Sequence, residues 1–299
     1  MIIGHKKQWQ FFQKMKKTEE IPHAFLFSGE EKLGKKCLSL EISALLNCSA
    51  NKEEPCNICS SCRAISKRIH PDIHIIEESK EIKIGEIRRF IENLSFKPSL
   101  GNFKVGVIDN AHLMTRESQN CLLKTLEEPT GNTVFFLITE YPDFLLKTVL
   151  SRLWKMRFFP VGNDEMKKYL EIENINGKTT ENLLNLSFGR PGILFNLLED
   201  KEKEKKDYLT DLEIEKVSSA SFFSRLKYAK DISEKEDMVE ILKKWIDHFR
   251  KKIFAPSVSF SDFQIAKENL KLILDAKFLI MTTNVNQKLL FENLLINIK

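Results

Sequence analysis

Short apolar runs alternate with helical patterns through about the first 160 residues. Residues 24–27, 73–76, 105–108, 134–138 and 155–159 are compact runs rich in β-branched and aromatic side chains. Runs that are apolar on both sides predict strands of a parallel sheet covered by helices, as in βαβ units. Between them, Ile84, Ile87, Phe90, Ile91 and Leu94 recur at helical spacing, predicting a helix over 82–94 that ends before Lys97-Pro98. Leu122, Leu123 and Leu126 predict a second helix running up to Pro129, and 143–151 reads as a third helical run. Asn163, Asp164 and Glu165 suit a helix start, and Pro191 suits the first turn of another.

The punctuation of the chain then changes. All eleven Gly lie at or before Gly192, and eight of the nine Pro at or before Pro191, so residues 193–299 hold only Pro256. A stretch without turn residues, carrying Trp245, Ile246, Phe249, Ile253, Leu270, Ile273, Leu274, Ala276 and Phe278 on amphipathic patterns, predicts an all-helical bundle. The charged run 199–207 reads as a solvated helix face or a linker between the two parts.

Composition narrows the classes. With 47 Lys+Arg against 42 Asp+Glu, the net charge of +5 fits neither a polybasic nucleic-acid tail nor an acidic solvating segment, and 42% hydrophobic residues, 22 of them Phe, fill a core rather than a disordered chain. No run of eighteen apolar residues occurs and the first seven residues lack a signal-peptide block, which predicts a soluble, cytoplasmic protein. In that reducing compartment a tight cysteine cluster holds metal more readily than disulfides.

Three motifs carry chemistry. After the first strand, Gly29 to Gly34-Lys35-Lys36 fits a phosphate-binding loop, in which glycines let backbone N–H groups wrap phosphates and the Lys reaches the outer ones. The Ser/Thr that ligates Mg²⁺ is replaced by Lys36, which has no oxygen; the alternative is a glycine-rich turn with no ligand, and whether ATP binds stays open. The strand 105–108 leads into Asp109, where a Mg²⁺-supporting acid is expected, or else a cap of the next turn. Asn110 follows and cannot accept a proton as a water-activating carboxylate does. Cys48, Cys56, Cys59 and Cys62 place four thiols within fifteen residues, a set suited to one structural Zn²⁺, with free thiols or an iron–sulfur cluster as alternatives. Cys37 and Cys121 fall on helical apolar patterns and read as inert core, and His70 and His74 as structural.

These stretches resemble the delta prime subunits of bacterial DNA polymerase III clamp loaders, members of the AAA+ superfamily. The matching residues are Gly4-His5, the run from Ile21-Pro22-His23 to Gly29, the Pro55 to Arg63 cysteine loop, His70-Pro71-Asp72 and the run Leu122-Leu123-Lys124-Thr125-Leu126-Glu127-Glu128-Pro129. Leu150-Ser151-Arg152 resembles the family's Ser-Arg-Cys signature with Leu153 in place of Cys; Thr139 falls at its sensor 1, Gly189-Arg190-Pro191-Gly192 at its sensor 2, and the final stretch from Asn286 resembles a collar helix. The resemblance implies an AAA+ (RecA-like P-loop) α/β domain with a zinc-binding loop over 1–160, a small helical lid over 161–205, and an all-α collar over 206–299. It implies a subunit that does not itself hydrolyse ATP and that sends an arginine finger, Arg152 beside Ser151, to a neighbouring ATPase. Gly29, Gly34, Lys35, Asp109, Thr139 and Arg190 would line its own degenerate nucleotide site. Implied partners are the gamma/tau and delta subunits, the sliding clamp and primed DNA, with no membrane. The ATP-hydrolysing gamma/tau motor shares the cysteine loop and the Glu-Glu-Pro helix; Lys36 and Asn110, where a motor has Thr or Ser and Glu, separate the two.

Overall fold

A computed structural model describes residues 2–50, 52–78, 81–173, 175, 178–199, 201–233, 238–254, 258–283 and 285–299. It divides into two compact units, Met1–Leu194 and Phe195–Lys299.

In the first unit β1 (Ala24–Ser28), β2 (Ile73–Glu77), β3 (Lys104–Asp109), β4 (Thr133–Thr139) and β5 (Trp154–Arg157) form one sheet in the order β2-β3-β4-β1-β5, every pair parallel. Successive side chains face opposite sides of a strand. Phe25 and Phe27 therefore join Phe12 of α1 (Lys6–Thr18) and Leu38, Ile42 and Leu45 of α2 (Lys35–Asn47). Ala24 and Leu26 face the other layer, with Ile87, Phe90 and Leu94 of α4 (Ile84–Ser95) and Leu122 and Leu126 of α5 (Arg116–Glu127). The short α3 (Ser60–Ser66) lies between α2 and β2 in the chain. Gly106 of β3 lets α4 close on the sheet: a Cβ there would lie 2.7 Å from both Phe90 and Leu94 side chains. β1 and β4 are neighbours whose onward connections run to opposite edges of the sheet, which opens a crevice at their carboxyl ends.

All five expected strands form within a residue or two of their expected bounds, and three differences have a physical cause. β5 stops at Arg157, because its partner β1 ends at Ser28, whose carbonyl accepts the Phe158 amide at 2.7 Å. The helix expected from Ile82 starts at Ile84, because Ile82 is taken into a bridge with Met114. The run 143–151 is one turn of 3₁₀ helix, Pro142–Phe144, followed by α6 (Lys147–Leu150). Gln119 intervenes, accepting the Leu146 amide at 2.7 Å and donating to Phe144 O at 3.2 Å, so its side chain replaces the helical bonds there. Cys37 is exposed rather than core, and Cys121 is half-buried. The unit continues with α7 (Asn163–Ile172), α8 (Lys178–Ser187) and the start of α9 (Pro191–Glu199).

The second unit is helical: α10 (Lys201–Ser218), α11 (Phe222–Ser233), α12 (Met238–Ile253), α13 (Phe260–Thr282) and α14 (Gln287–Asn297). The charged run enters α10, though Asp200 and the side chains at 201–208 lie outside the described residues. Trp245 is the buried centre, packed with Leu242, Phe249, Ile273, Phe291 and Leu295. Among the described residues no helix is long and apolar enough to cross a membrane.

Candidate nucleotide site and metal centre

The loop after β1 sits at the crevice mouth and is held from its carbonyl side. Gly29 (φ 146°) and Gly34 (φ 90°) adopt backbone that L side chains avoid. A Cβ on Gly29 would also lie 2.6 Å from Phe158 O. Lys35 Nζ donates to Gly29 O at 2.6 Å and to Glu30 O, His5 Nε2 bonds Leu33 O at 2.7 Å, and the Gly192 amide donates to Lys32 O at 2.8 Å. Burial pulls the Lys35 pKa down to about 8, against the opposing pull of Glu140, Asp109, Glu31 and Glu30. The loop is thus lined by its own carboxylates as well as by its lysine.

Lys36, one residue into α2, spans two strand ends: its Nζ is 2.7 Å from Glu77 Oε2 and 3.4 Å from Asp109 Oδ2. An internal ammonium therefore stands beside the acid that would support Mg²⁺. Asn110 has left-handed backbone (φ 53°), and its Nδ2 donates to Glu78 O at 3.3 Å. Buried Thr139 ends β4: its carbonyl accepts the Gly29 amide at 3.1 Å and its Oγ1 meets His112 Nδ1 at 3.0 Å. Arg190 is buried at the start of α9, its guanidinium 5.7 Å over the Phe188 ring. The fold so brings Gly29, Gly34, Lys35, Asp109 and Thr139 to one end of the sheet, with Arg190 two residues from the amide that binds the loop. Sequence reasoning missed Glu77 and Glu140. Each is an acid at the close of an apolar run, a visible signal, but pairing Glu77 with Lys36 needs the strand order.

The Sγ atoms of Cys48, Cys56, Cys59 and Cys62 all lie within 4.8 Å of one another. Tetrahedral zinc with Zn–S of about 2.3 Å needs S···S separations of about 3.8 Å, so the donors fit one ion. Cys48 closes α2 and Cys59 caps α3, and amides are aimed at sulfur: Cys56 N to Cys48 Sγ at 3.3 Å, Cys59 N to Cys56 Sγ and Cys62 N to Cys59 Sγ at 3.4 Å each. The Cys62 amide is the main reason the Cys59 thiol is drawn down to about 5, whereas burial pushes Cys62 up to about 12. A bound dication would favour the thiolate form at all four positions.

Both ends of this cysteine module reach the segment after α4. Asn47, next to Cys48, accepts the Phe103 amide at 2.8 Å. Ser61, next to Cys62, bonds His70 Nε2 at 2.8 Å, and His70 Nδ1 accepts the Asp72 amide at 3.1 Å. The fully buried Asp72 carboxylate takes the amides of Ser99 and Leu100 at 2.7 Å and Gly101 at 2.9 Å. His70 therefore spends both ring nitrogens on structure, as expected.

Arg152 lies apart from the loop, just past α6. Its Nη1 donates to Thr148 O at 2.6 Å and Ser151 Oγ at 3.3 Å, and its Nη2 to Glu127 Oε1. The side chain is 32% exposed, partly open rather than a fully solvated charge.

Comparison with known proteins places this arrangement. The chain is 35% identical over 152 residues to DNA polymerase III subunit tau of Salmonella typhimurium, a match covering 50% of this chain and 24% of that one. It is 31% identical over 170 residues to DNA polymerase III subunit delta prime of Bacillus subtilis, covering 56% and 52%. The chain thus spans at most about half the length of these relatives. A solved DNA polymerase III gamma subunit-related protein of Thermotoga maritima shares the AAA+ fold, at TM-score 0.50 and 18% identity over 95% of this chain and 97% of that one. The sheet, the loop and the cysteine cluster all lie within residues 4–162, the stretch matched by the family described as DNA polymerase III, delta subunit, and the chain belongs to that family.

Proposed function

We propose that the chain is a clamp-loader subunit of the delta prime type, which hydrolyses no ATP itself and completes the ATP site of a neighbouring gamma/tau subunit. Together with those subunits and delta it would load the sliding clamp onto primed DNA in the cytoplasm. The observation that carries this reading is the Lys36 bridge: an ammonium held by Asp109 and Glu77 fills the place of a divalent cation, and Asn110 supplies no base. Gly29, Gly34, Lys35, Asp109, Thr139 and Arg190 keep the geometry of a nucleotide loop without its chemistry. Residues 161–205 act as the lid and 206–299 as the collar, and Cys48, Cys56, Cys59 and Cys62 hold one structural zinc.

Arg152 carries the outward function. A guanidinium stays charged, bonds phosphate oxygens through a planar fork, and stabilises charge that grows on a transferring γ-phosphoryl group. Acting in trans, it lets a subunit with a disabled site still be required. The motor reading draws on the 35% identity to a tau subunit, above the 31% to a delta prime subunit; what supports delta prime is Lys36 and Asn110. ATP hydrolysis by the purified chain separates them. The expectation is background turnover alone and stimulated turnover only in the assembly; robust turnover by the chain alone, abolished by Lys35→Ala, would establish the motor instead.

A further inference from the structure

The run Leu122 to Pro129 is among the most specific of the chain, yet nothing above gives its acids a role. Leu122 and Leu126 are buried core; Glu127 is 48% exposed on its side chain. It closes α5, the end of a helix where a negative charge is disfavoured by the macrodipole. Its place is not explained by helix stability. What it touches is the Arg152 guanidinium.

We infer that Glu127 is a positioning residue for Arg152, orienting the guanidinium so that one edge stays free for a phosphate held by another subunit; this rests on the trans role of Arg152 argued above. An arginine has five N–H donors. Its own chain takes three: two on Nη1, to Thr148 O and Ser151 Oγ, and one on Nη2, to Glu127. Among the described residues Nε–H and one Nη2–H take no partner, donors on the two nitrogens whose side-on edge can bond two phosphate oxygens. Without Glu127 the side chain is tethered through Nη1 alone and regains rotamer freedom, which must be lost again when the phosphate is bound. A partly exposed pair contributes little to stability, so Glu127 can orient Arg152 without locking it.

The test is kinetic and uses the full chain assembled with gamma/tau and delta. Glu127→Ala should lower kcat at the one site that Arg152 serves roughly three- to fivefold, read as the slow fraction in single-turnover, clamp- and DNA-stimulated ATP hydrolysis, with KM for ATP unchanged, the scale that a partly exposed ion pair permits. Glu127→Gln, which keeps the acceptor oxygen, should retain most of the rate. In an Arg152→Ala background Glu127→Ala should add nothing. In the isolated chain, ¹⁵N relaxation at Arg152 Nε should report greater mobility in Glu127→Ala, with Glu127→Gln in between. If Arg152→Ala lowers kcat while Glu127→Ala leaves or raises it, the positioning role is wrong and the arginine finger stands. If Glu127→Ala lowers kcat equally in both backgrounds, the effect is structural and the inference fails. An assembly indifferent to Arg152→Ala would remove both.

Discussion

The Lys36 ammonium lies 3.4 Å from Asp109 Oδ2, an acid paired with a lysine where a hydrolytic site pairs its acid with a metal. Both side chains are about a quarter exposed, 26% and 23%, so the contact contributes on the order of 1 kcal/mol or less to stability. Its consequence is for chemistry. Lys36→Thr should lower the unfolding free energy only within that range and should still hydrolyse no ATP, because Asn110 cannot accept the proton of an attacking water. Unfolding curves and phosphate release check the two parts; turnover by the single variant would mean that the missing cation ligand was the whole defect.

The cysteine module should bind about one zinc per chain in a four-thiolate shell. Cys59→Ser removes a thiolate ligand while keeping an acceptor at the N-cap of α3, and should lower both zinc content and the thermal midpoint. Because Asn47 and Ser61 tie the module to the segment after α4, chelation should also speed hydrogen exchange at Ser99, Leu100, Gly101 and Phe103. Metal analysis and amide exchange read these effects, and exchange confined to the cysteine loop would show that the two links bear no strain.

Asp72 is the anchor of that segment. Burial opposes its charge, but the amides of Gly101, Leu100 and Ser99, with Lys104 Nζ 3.6 Å away, outweigh it and hold its pKa below the ordinary 3.8. A depressed folded-state pKa contributes stability that is intact above 3.8 and lost as pH falls through the folded value. Asp72→Ala strands a buried lysine and three amides, and should cost about 3–5 kcal/mol. Asp72→Asn should cost less and flatten the acid limb of stability against pH. Chemical unfolding from neutral to strongly acid pH measures both, and an unchanged acid limb in Asp72→Asn would assign acid lability to other carboxylates.

Much of this was legible in the chain. Strands apolar on both faces announced a parallel sheet, since only burial by helices on each side tolerates runs such as Val134 to Ile138. The turn from glycine-bearing to glycine-free sequence after Gly192 falls close to the division at Leu194. The four cysteines were readable because ligand spacing is local. The Lys36–Glu77 and Arg152–Glu127 pairs were not, because each joins residues that meet only through the order of strands or the packing of α5 beside α6. The break at Leu146 was hidden for the same reason, as a distant side chain, Gln119, takes its amide. Cys37 misled because a small apolar residue beside Leu38 fits a helical stripe whether it lies on its edge or beyond it.

The central claim is that this subunit works through its neighbour's ATP. An assembly reconstituted with Arg152→Ala, compared in single-turnover hydrolysis with the intact one, tests it most directly. Loss of an arginine finger slows the one site it serves by on the order of 10³. The prediction is therefore a slow fraction of bound ATP corresponding to one site, with assembly intact and the remaining sites hydrolysing at their former rate. Uniform, unchanged hydrolysis at every site, with clamp loading undiminished, would contradict it.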